Sequence, residues 1–270
     1  MFFELPLALA LSCLLSEVPA VHAACFALPA RLCALLERLI ARRRAEDAGR
    51  LAARAAAGVI ALLAALLSLL HPAVRVALLA LALPVRALMD EGMRARALLE
   101  EGDVRGAAEA LGNGAQAHTY EDVVRAACEK ISLNTAHVAF AGALLALVGT
   151  PLRLGPALAC AYAAVLCLWR EEPLFLRVRR VLYRASEWLY AGLCALLTAL
   201  CGLEVEAALG MLKTPLEGRL SRVTAAAVGI GQEPTHDPIA GDVVQTALLL
   251  WLALGAAVLA VSLALLPLMR

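Results

Sequence analysis

Long apolar runs alternate with charged segments along this chain, and each apolar run has the composition of a helix. Ala and Leu dominate these runs, and they form helices readily. A helix needs about 20 apolar residues to cross the hydrocarbon core of a bilayer, and several runs are shorter or broken by Pro, Gly or charge. We therefore predict an all-α, polytopic integral membrane protein with about five to seven hydrophobic segments, some short or re-entrant. The segments are 5–28, 55–70, 73–83, 136–148, 156–169, 188–203 and 243–266.

Charge and proline interrupt the first apolar run. Glu17, Pro19 and His22 lie within 5–28, so a broken or partly re-entrant segment is predicted there. A basic amphipathic helix is predicted for 29–54. Its arginines suit the anionic headgroups of a bilayer, and the alternative is that they form the rim of a site for an anionic substrate.

The next two runs, 55–70 and 73–83, flank a break at His71–Pro72. Their combined length fits either one kinked helix or a tight hairpin, and length alone does not decide between them. Pro84 should end the second helix, because a proline disfavours helical geometry at the residue before it, here Leu83.

A row of polar side chains leads into the fourth apolar run. Lys130, Asn134 and His137 are spaced i, i+4 and i+7, which puts them on one stripe of a helix, with Glu129 at its edge. Polar groups are costly at the depth of a bilayer, so the row indicates a site. Structural roles are the alternative. Glu129 would then pair with Arg125 or Lys130. Asn134 would cap the membrane segment, and His137 would be hydrogen-bonded at the interface.

Composition and charge agree with a membrane protein. The chain is 62% hydrophobic and 17% charged, with a mean hydropathy of +0.79, whereas soluble domains are about half apolar and about a quarter charged. The net charge of +1 gives no basic field for nucleic acid. Lys and Arg concentrate in segments predicted to be aqueous, and the positive-inside bias places the three richest on the cytoplasmic side of the cell inner membrane. These aqueous segments are about 29–54, 85–135, 170–187 and 204–242 of a single membrane domain, 1–270.

Few local motifs point to chemistry. The eight cysteines show no C-x-x-C spacing and the five histidines no ligand spacing, so no metal ligands are predicted, and the cysteines are interpreted as small helix-packing residues. Asp103 is predicted to cap the helix that follows it. Trp188 and Tyr190 are predicted to lie at the level of a membrane interface.

Six stretches follow one another in the order of landmarks in a known family. They are LPARLCALLERLI (28–40), ALLEEGDVRGAAEAL (97–111), RAACEKISLNTAHVAF (125–140), AYAAVLCLWR (161–170), YRASEWL (183–189) and KTPLEGRLSRVTAAAVGI (213–230). Together they resemble the CobD/CbiB family, the adenosylcobinamide-phosphate synthases of cobalamin biosynthesis, over roughly residues 5–250.

The resemblance marks candidate site residues. Glu129 and Asn134 match the family's Arg-Ala-x-x-Glu-Ser-x-Ala-Glu-Asn segment, and His137 stands where the family has an Asp. Arg184 matches the Arg of the family's Ala-Arg-Leu-Asp-Asp segment, and Glu187 occupies one of its acid positions. The resemblance thus implies that these five residues are candidates for substrate binding, while the catalytic residues stay unassigned.

The family joins adenosylcobyric acid to aminopropanol phosphate, using ATP and Mg²⁺. The resemblance therefore implies a divergent member that still performs ATP-dependent amide ligation. The alternative is a catalytically inactive relative acting as a membrane scaffold, binding or regulatory protein. Trp169 at an Asp position, and GAQAHT (114–119) in place of the Gly-Arg-Asp-Thr motif, favour the alternative.

The resemblance also sets expectations for partners and cofactors. The expected partners are the lipid bilayer and a corrinoid or another protein of the cobalamin pathway, with no nucleic acid. No cofactor is evident in the sequence, and ATP and Mg²⁺ are expected only if ligation is retained. A small transporter is a third hypothesis, favoured only by the broken helices.

Overall fold

The computed structural model describes residues 4–15, 19–41, 47–83, 85–112, 119–150, 152–168, 172–214 and 218–265. Glu17, Pro84, Trp169 and most of the 114–119 segment lie outside them. The regular structure in the described residues is entirely helical, which confirms the all-α prediction for this part of the chain. The α-helices are α1 (Glu4–Leu15), α2 (Pro19–Ala41), α3 (Ala48–Ser68), α4 (Pro72–Ala82), α5 (Val85–Glu100), α6 (Val104–Ala110), α7 (Tyr120–Asn134), α8 (Ala141–Gly149), α9 (Gly155–Leu168), α10 (Pro173–Leu197), α11 (Val205–Met211), α12 (Arg219–Ala227) and α13 (Ala240–Leu265).

Three helices among the described residues are long and apolar enough to cross a membrane. They are α3, the Ala240–Ala264 part of α13, and the continuous helix Tyr120–Gly149. That continuous helix consists of α7, a π-helical turn at Thr135–Phe140 and α8. Shorter apolar helices account for other predicted segments: Glu4–Leu14, Pro72–Ala82 and Gly155–Leu168.

One of two predicted breaks in the first half is confirmed. The other falls between α1, which ends at Leu15, and α2, which begins at Pro19, and residues 16–18 lie outside the described ranges. α3 and α4 are separate helices, and His71 caps α4 through Nδ1, which accepts the backbone N–H of Ala73 at 3.1 Å. Leu83 has φ −119° and ψ 71°, outside helical geometry as predicted.

The prediction of one basic helix over 29–54 is wrong. α2 continues to Ala41 with Pro29 inside it, and α3 begins at Ala48. The apolar run therefore starts earlier than residue 55. The reason is packing, because Ala52 and Ala56 are buried in a core shared by α2, α3 and α9.

The predicted helix pair around residues 149–155 is confirmed as α8 and α9. The backbone N–H of Leu154 donates to the carbonyl oxygen of Gly149 at 2.9 Å and closes the turn. A Cβ on Gly149 would lie 2.8 Å from the backbone nitrogen of Gly155, so the two helix ends approach too closely for a side chain. Arg153 adopts a left-handed φ of 59° within this turn.

The predicted charged segment ending at residue 187 and the apolar segment from residue 188 lie on one helix, and their positions relative to a membrane stay a prediction. α10 runs unbroken through both, because its Arg and Leu residues form helices readily and no proline follows Pro173 within it. Trp188 is 55% exposed, but Tyr190 is fully buried, with its hydroxyl donating to the carbonyl oxygen of Leu250. Tyr190 therefore packs inside unit 2, while the level of both aromatic residues relative to a membrane stays a prediction.

The chain divides into two compact units. Unit 1 comprises Met1–Val85, Ala141–Leu182 and Val258–Arg270, and unit 2 comprises Arg86–Phe140 and Tyr183–Ala257. The prediction of a single membrane domain for 1–270 stays a prediction.

Each unit has its own packing. In unit 1, α2, α3, α9 and the start of α10 share a core of small side chains that includes Ala53, Ala164 and Phe175. In unit 2, α12 packs against α7 and α11. Asp103 caps α6 as predicted, because its carboxylate accepts the N–H of Gly106 at 2.8 Å.

Candidate functional site

The candidate site in unit 2 is built on α7 and the π-helical turn that follows it. Thr119 caps α7 by accepting the N–H of Asp122 on Oγ1 at 3.1 Å. The helix does not end at Asn134, since the π-helical turn continues it, so a capping role at a helix end does not apply to Asn134. π-helical turns are rare and occur frequently at functional sites. This turn carries His137.

His137 meets Glu187 of α10. Nε2 of the imidazole lies 2.6 Å from Oε1 of the carboxylate, and these side chains are only 15% and 12% exposed. Because an ionised carboxylate can only accept, the histidine nitrogen carries the proton in this hydrogen bond. Tyr183, one turn before Glu187, stacks on the imidazole with ring centroids 3.6 Å apart. The ring of His137 is thus fixed on its edge by Glu187 and on its face by Tyr183.

Glu187 also holds the beginning of α12. Its Oε2 accepts the backbone N–H of Gly218 at 3.2 Å, so both carboxylate oxygens have donors. Gly218 has a left-handed φ of 66°, which glycine adopts without steric cost. Arg222, one turn further on, donates from Nε to Oγ1 of Thr214 at 3.2 Å. These bonds fix the position of the first turn of α12.

α12 and α7 are joined by buried hydroxyl groups. Oγ of Ser132 and Oγ1 of Thr224 lie 2.9 Å apart, and both residues are buried. Oγ of Ser132 also bonds the carbonyl oxygen of Cys128 at 2.8 Å. Since a buried hydroxyl left unpaired is costly, this pair sets how α12 lies against α7.

The segment after α12 is held by a second histidine–carboxylate contact. Nε2 of His236 lies 3.1 Å from Oδ1 of the buried Asp242, whose Oδ2 accepts the N–H of Ile239 at 2.8 Å. Nearby, the backbone N–H of Ala240 donates to the hydroxyl of Tyr120 at 3.0 Å. The segment between α12 and α13 is thereby tied to the start of α7.

A pocket of about 280 Å³ lies among α7, α12 and the segment after α12. This volume is just below the range of about 300–1,000 Å³ that is typical of small-molecule sites. The polar residues that line it include Arg125, Glu129, Ser221, Arg222 and Gln232, together with Gly218. The hydroxyl of Ser221 is buried and has no hydrogen-bond partner among the described residues.

The predicted local pairing of Glu129 is not observed. Lys130 instead lies 2.7 Å from a carboxylate oxygen of Glu91 and donates to the carbonyl oxygen of Leu111 at 2.8 Å. Glu129 and Arg125 form no ion pair or hydrogen bond within the described part of the chain, and both are exposed at the pocket. Their charges are therefore available to a ligand.

The five predicted site residues are not all brought together. Glu129 lines the pocket, while His137 and Glu187 reach it through the N–H of Gly218, which also lines it. Asn134 is half-buried where α7 meets the π-helical turn, and Arg184 is exposed on α10, three residues before Glu187. Their roles as site residues stay predictions.

Sequence reasoning missed Tyr183, Gly218, Ser221 and Arg222. Tyr183 and Glu187 are spaced i and i+4, which places an aromatic ring and a carboxylate on one helix face. That spacing could have marked a site for an imidazole ring. The other three carry no comparable local signal, because the packing of α12 on α7 brings them to the pocket.

The charged side chains that line the pocket indicate which class of ligand it could bind. The pocket has two guanidinium groups, from Arg125 and Arg222, and such groups bind phosphate well. Glu129 is the single carboxylate among the pocket's lining residues, and no group of three His, Cys, Asp or Glu residues in the described ranges could hold a metal ion. The residues therefore fit a phosphate-bearing anion, and they do not fit a Mg²⁺ site built from several carboxylates.

Comparison of the chain with protein-family models, with curated proteins and with solved structures finds no match.

Proposed function

We propose that this chain is a multi-pass protein of the cell inner (cytoplasmic) membrane. Support comes from the three helices long enough to cross a bilayer and from the shorter apolar helices beside them. The concentration of Lys and Arg in a few segments agrees with a cytoplasmic location for those segments. Release from the membrane by alkaline carbonate, without detergent, would contradict this proposal.

We further propose that it is a divergent protein of the CobD/CbiB type that binds a phosphate-bearing ligand in the unit 2 pocket. One observation carries this proposal. Glu129, His137 and Glu187, which the resemblance marks as site positions, lie at or beside one pocket, although they come from two separate stretches of the chain. Within the cobalamin pathway, aminopropanol phosphate and phosphate-bearing corrinoids are ligands of the expected chemistry.

Each of these residues has a distinct task in the proposed site. Arg125 and Arg222 would bind the phosphate through charge-assisted hydrogen bonds. Glu129 would accept a hydrogen bond from a cationic donor, such as the ammonium group of an amino alcohol phosphate. His137 and Glu187 are positioning residues, because they hold Gly218 at the pocket.

The alternative is a catalytically inactive relative that binds such a ligand as a membrane scaffold or regulator. The donor set favours it, because an ATP-dependent ligase must also hold a metal–nucleotide complex and the pocket offers one carboxylate for that purpose. Binding without ligation is the chemistry that the lining residues support best.

The decisive experiment incubates the purified protein with adenosylcobyric acid, aminopropanol phosphate, ATP and Mg²⁺. Chromatography would detect adenosylcobinamide phosphate, with an active CobD/CbiB synthase as the control. We expect no product, but protection of the protein against thermal unfolding by aminopropanol phosphate, and loss of that protection in Arg222→Gln. Product formation would favour the ligase, and absence of both product and protection would contradict the proposed ligand.

A further inference from the structure

Two basic segments of unit 1 lie at the same end of its helices. α2 ends at Ala41 and α3 begins at Ala48, so these two helix ends are neighbours in the chain. Arg54, near the start of α3, donates to the carboxylate of Glu172, the residue just before α10, with Nε 2.8 Å from Oε2. The end of α2 and the beginnings of α3 and α10 therefore lie at the same end of the unit.

Arginines dominate this end. We name Arg38, Arg50, Arg54, Arg177 and Arg180 the arginine end; all five are exposed. The described acidic side chains nearest to them in the chain are Glu37, Asp47 and Glu172.

The described carboxylates leave part of this positive charge uncompensated. Glu172 is paired with Arg54, and Asp47 lies 3.8 Å from Arg50. Arg38, Arg177 and Arg180 have no ion pair or hydrogen bond within the described ranges.

Each unpaired arginine has exposed apolar neighbours on its own helix. On α10, Leu174, Val178 and Val181 follow the spacing i, i+4 and i+7 and are 49%, 41% and 68% exposed. This apolar stripe runs beside Arg177 and Arg180. A different side of the helix is used for packing, since Phe175 lies in the core of unit 1.

α2 repeats the arrangement. Leu35 and Leu39 are exposed, at 57% and 54%, and lie beside Arg38. Cys33 and Leu36 of the same helix face the shared core. A free anion such as inorganic phosphate would satisfy the arginines but would leave these leucines and valines in water. A phospholipid satisfies both, because its acyl chains cover apolar side chains while its headgroup meets the cations.

We propose that the arginine end binds anionic phospholipids, with the headgroup phosphate at Arg38, Arg177 and Arg180 and the acyl chains along the apolar residues beside them. This inference rests on the proposed location in a membrane. It is independent of the unit 2 pocket and its ligand.

The test uses the full chain in micelles of a neutral detergent. Binding of fluorescent phosphatidylglycerol is compared with binding of fluorescent phosphatidylcholine, in the wild type and in the variant Arg38→Gln/Arg177→Gln/Arg180→Gln. A matched control, Arg94→Gln/Arg105→Gln, removes exposed arginines of unit 2. Wild-type protein should bind phosphatidylglycerol more tightly. The triple variant should lose affinity on the order of a hundredfold, about fivefold for each arginine, while the control changes little.

Several outcomes would overturn the proposal. Equal affinity for the two lipids would do so, and so would a triple variant that binds phosphatidylglycerol like the wild type. Competition by inorganic phosphate at the same concentration as the lipid would also overturn it, because the site would then bind any small anion. If the triple variant does not fold, Arg177→Gln and Arg180→Gln are measured singly, and wild-type binding must weaken as salt rises. Carbonate extraction separately tests membrane location, so failure of that proposal is distinguishable from failure of this one.

Discussion

Arg54 donates two parallel hydrogen bonds to Glu172, from Nε to Oε2 at 2.8 Å and from Nη2 to Oε1 at 2.9 Å. Glu172 is 1% exposed, and its Oε1 also accepts the backbone N–H of Leu174 at 3.0 Å. The carboxylate therefore caps the first turn of α10 and ties it to α3. It is the point at which two distant basic segments of the chain are joined.

Arg54→Ala should destabilise the protein, because it leaves a buried carboxylate without its cationic partner. We expect a loss in the free energy of unfolding that is larger than the loss caused by removing a fully exposed arginine, although water solvates part of the site because Arg54 is half-exposed. Arg50→Ala is the matched control, as Arg50 is 60% exposed and lies 3.8 Å from Asp47. Chemical unfolding in detergent measures both variants, and equal losses would contradict the role assigned to Arg54.

The same pair predicts a dependence of stability on pH. The hydrogen bond from Arg54 lowers the pKa of Glu172 below its ordinary value of 4.5, so the unfolded chain takes up this proton at a higher pH than the folded chain. The contribution of Glu172 is thus fully present above pH 4.5 and is lost as the pH falls through the lowered pKa. The stability difference between wild type and Glu172→Gln should shrink over this acid range in thermal unfolding. A difference that stays constant or grows on acidification would reject this linkage.

The close approach of α8 and α9 predicts that alanine is tolerated differently at two glycines of unit 1. Gly149→Ala places a Cβ 2.8 Å from the backbone nitrogen of Gly155, and backbone atoms cannot move aside cheaply. We expect a loss of about 1–3 kcal/mol in the free energy of unfolding. Gly58→Ala, within α3, meets no atom within 4 Å and should be neutral or stabilise the protein by up to about 1 kcal/mol. Comparable losses in both variants would mean that the two helix ends are not in contact.

Local sequence patterns were enough to predict the features that local physics determines. Asp103 is followed by a helix that it caps, Leu83 precedes a proline, and α13 is an apolar run with no competing break. The extent of α10 is less evident from the sequence, because its composition changes from charged to apolar although no helix breaker stands at that point.

The candidate site was predictable only in part, because it depends on contacts between distant segments. The resemblance and the polar row marked His137 and Glu187, and no local pattern indicates that their side chains meet at 2.6 Å. The same holds for Arg222, which reaches the pocket because α12 packs on α7. Such pairings depend on how helices pack, and that information is spread over the whole chain.

The pocket predicts that Glu129→Ala folds normally yet loses protection by aminopropanol phosphate. The resemblance extends the same expectation to Asn134→Ala, although Asn134 does not line the pocket. Glu129 lines the pocket and Asn134 lies on the same helix before the π-helical turn, so neither change removes a buried apolar contact. Glu121→Ala is the control, since Glu121 is an exposed acid in the first turn of α7. Thermal unfolding with and without the ligand measures protection. Full protection in Glu129→Ala and Asn134→Ala would exclude these two residues from the site.

Labelling of introduced cysteines should show that the two ends of α9 lie on opposite sides of the membrane. In the chain, α9 separates the turn that contains Arg153 from Arg177 and Arg180 of the arginine end. Its 14 residues span about 21 Å. That length is short for a bilayer core of about 30 Å, so the helix either crosses a thinned region or turns back within it. The positive-inside bias favours crossing, with the arginines in the cytoplasm.

Arg153→Cys and Arg180→Cys, made in a background whose native cysteines are replaced by alanine, distinguish these two cases. An impermeant thiol reagent added to intact cells should label position 153 and miss position 180, and permeabilised cells should be labelled at both. Arg177→Cys is the control for Arg180→Cys, because the two residues lie one turn apart on α10. Arg42–Arg44, in the basic segment 29–54, are also predicted to be cytoplasmic, but they lie outside the described ranges, so that prediction rests on the sequence alone. If neither position is labelled in intact cells, α8 and α9 form a re-entrant pair, and the close contact of Gly149 with Gly155 lies inside the bilayer rather than at its outer surface.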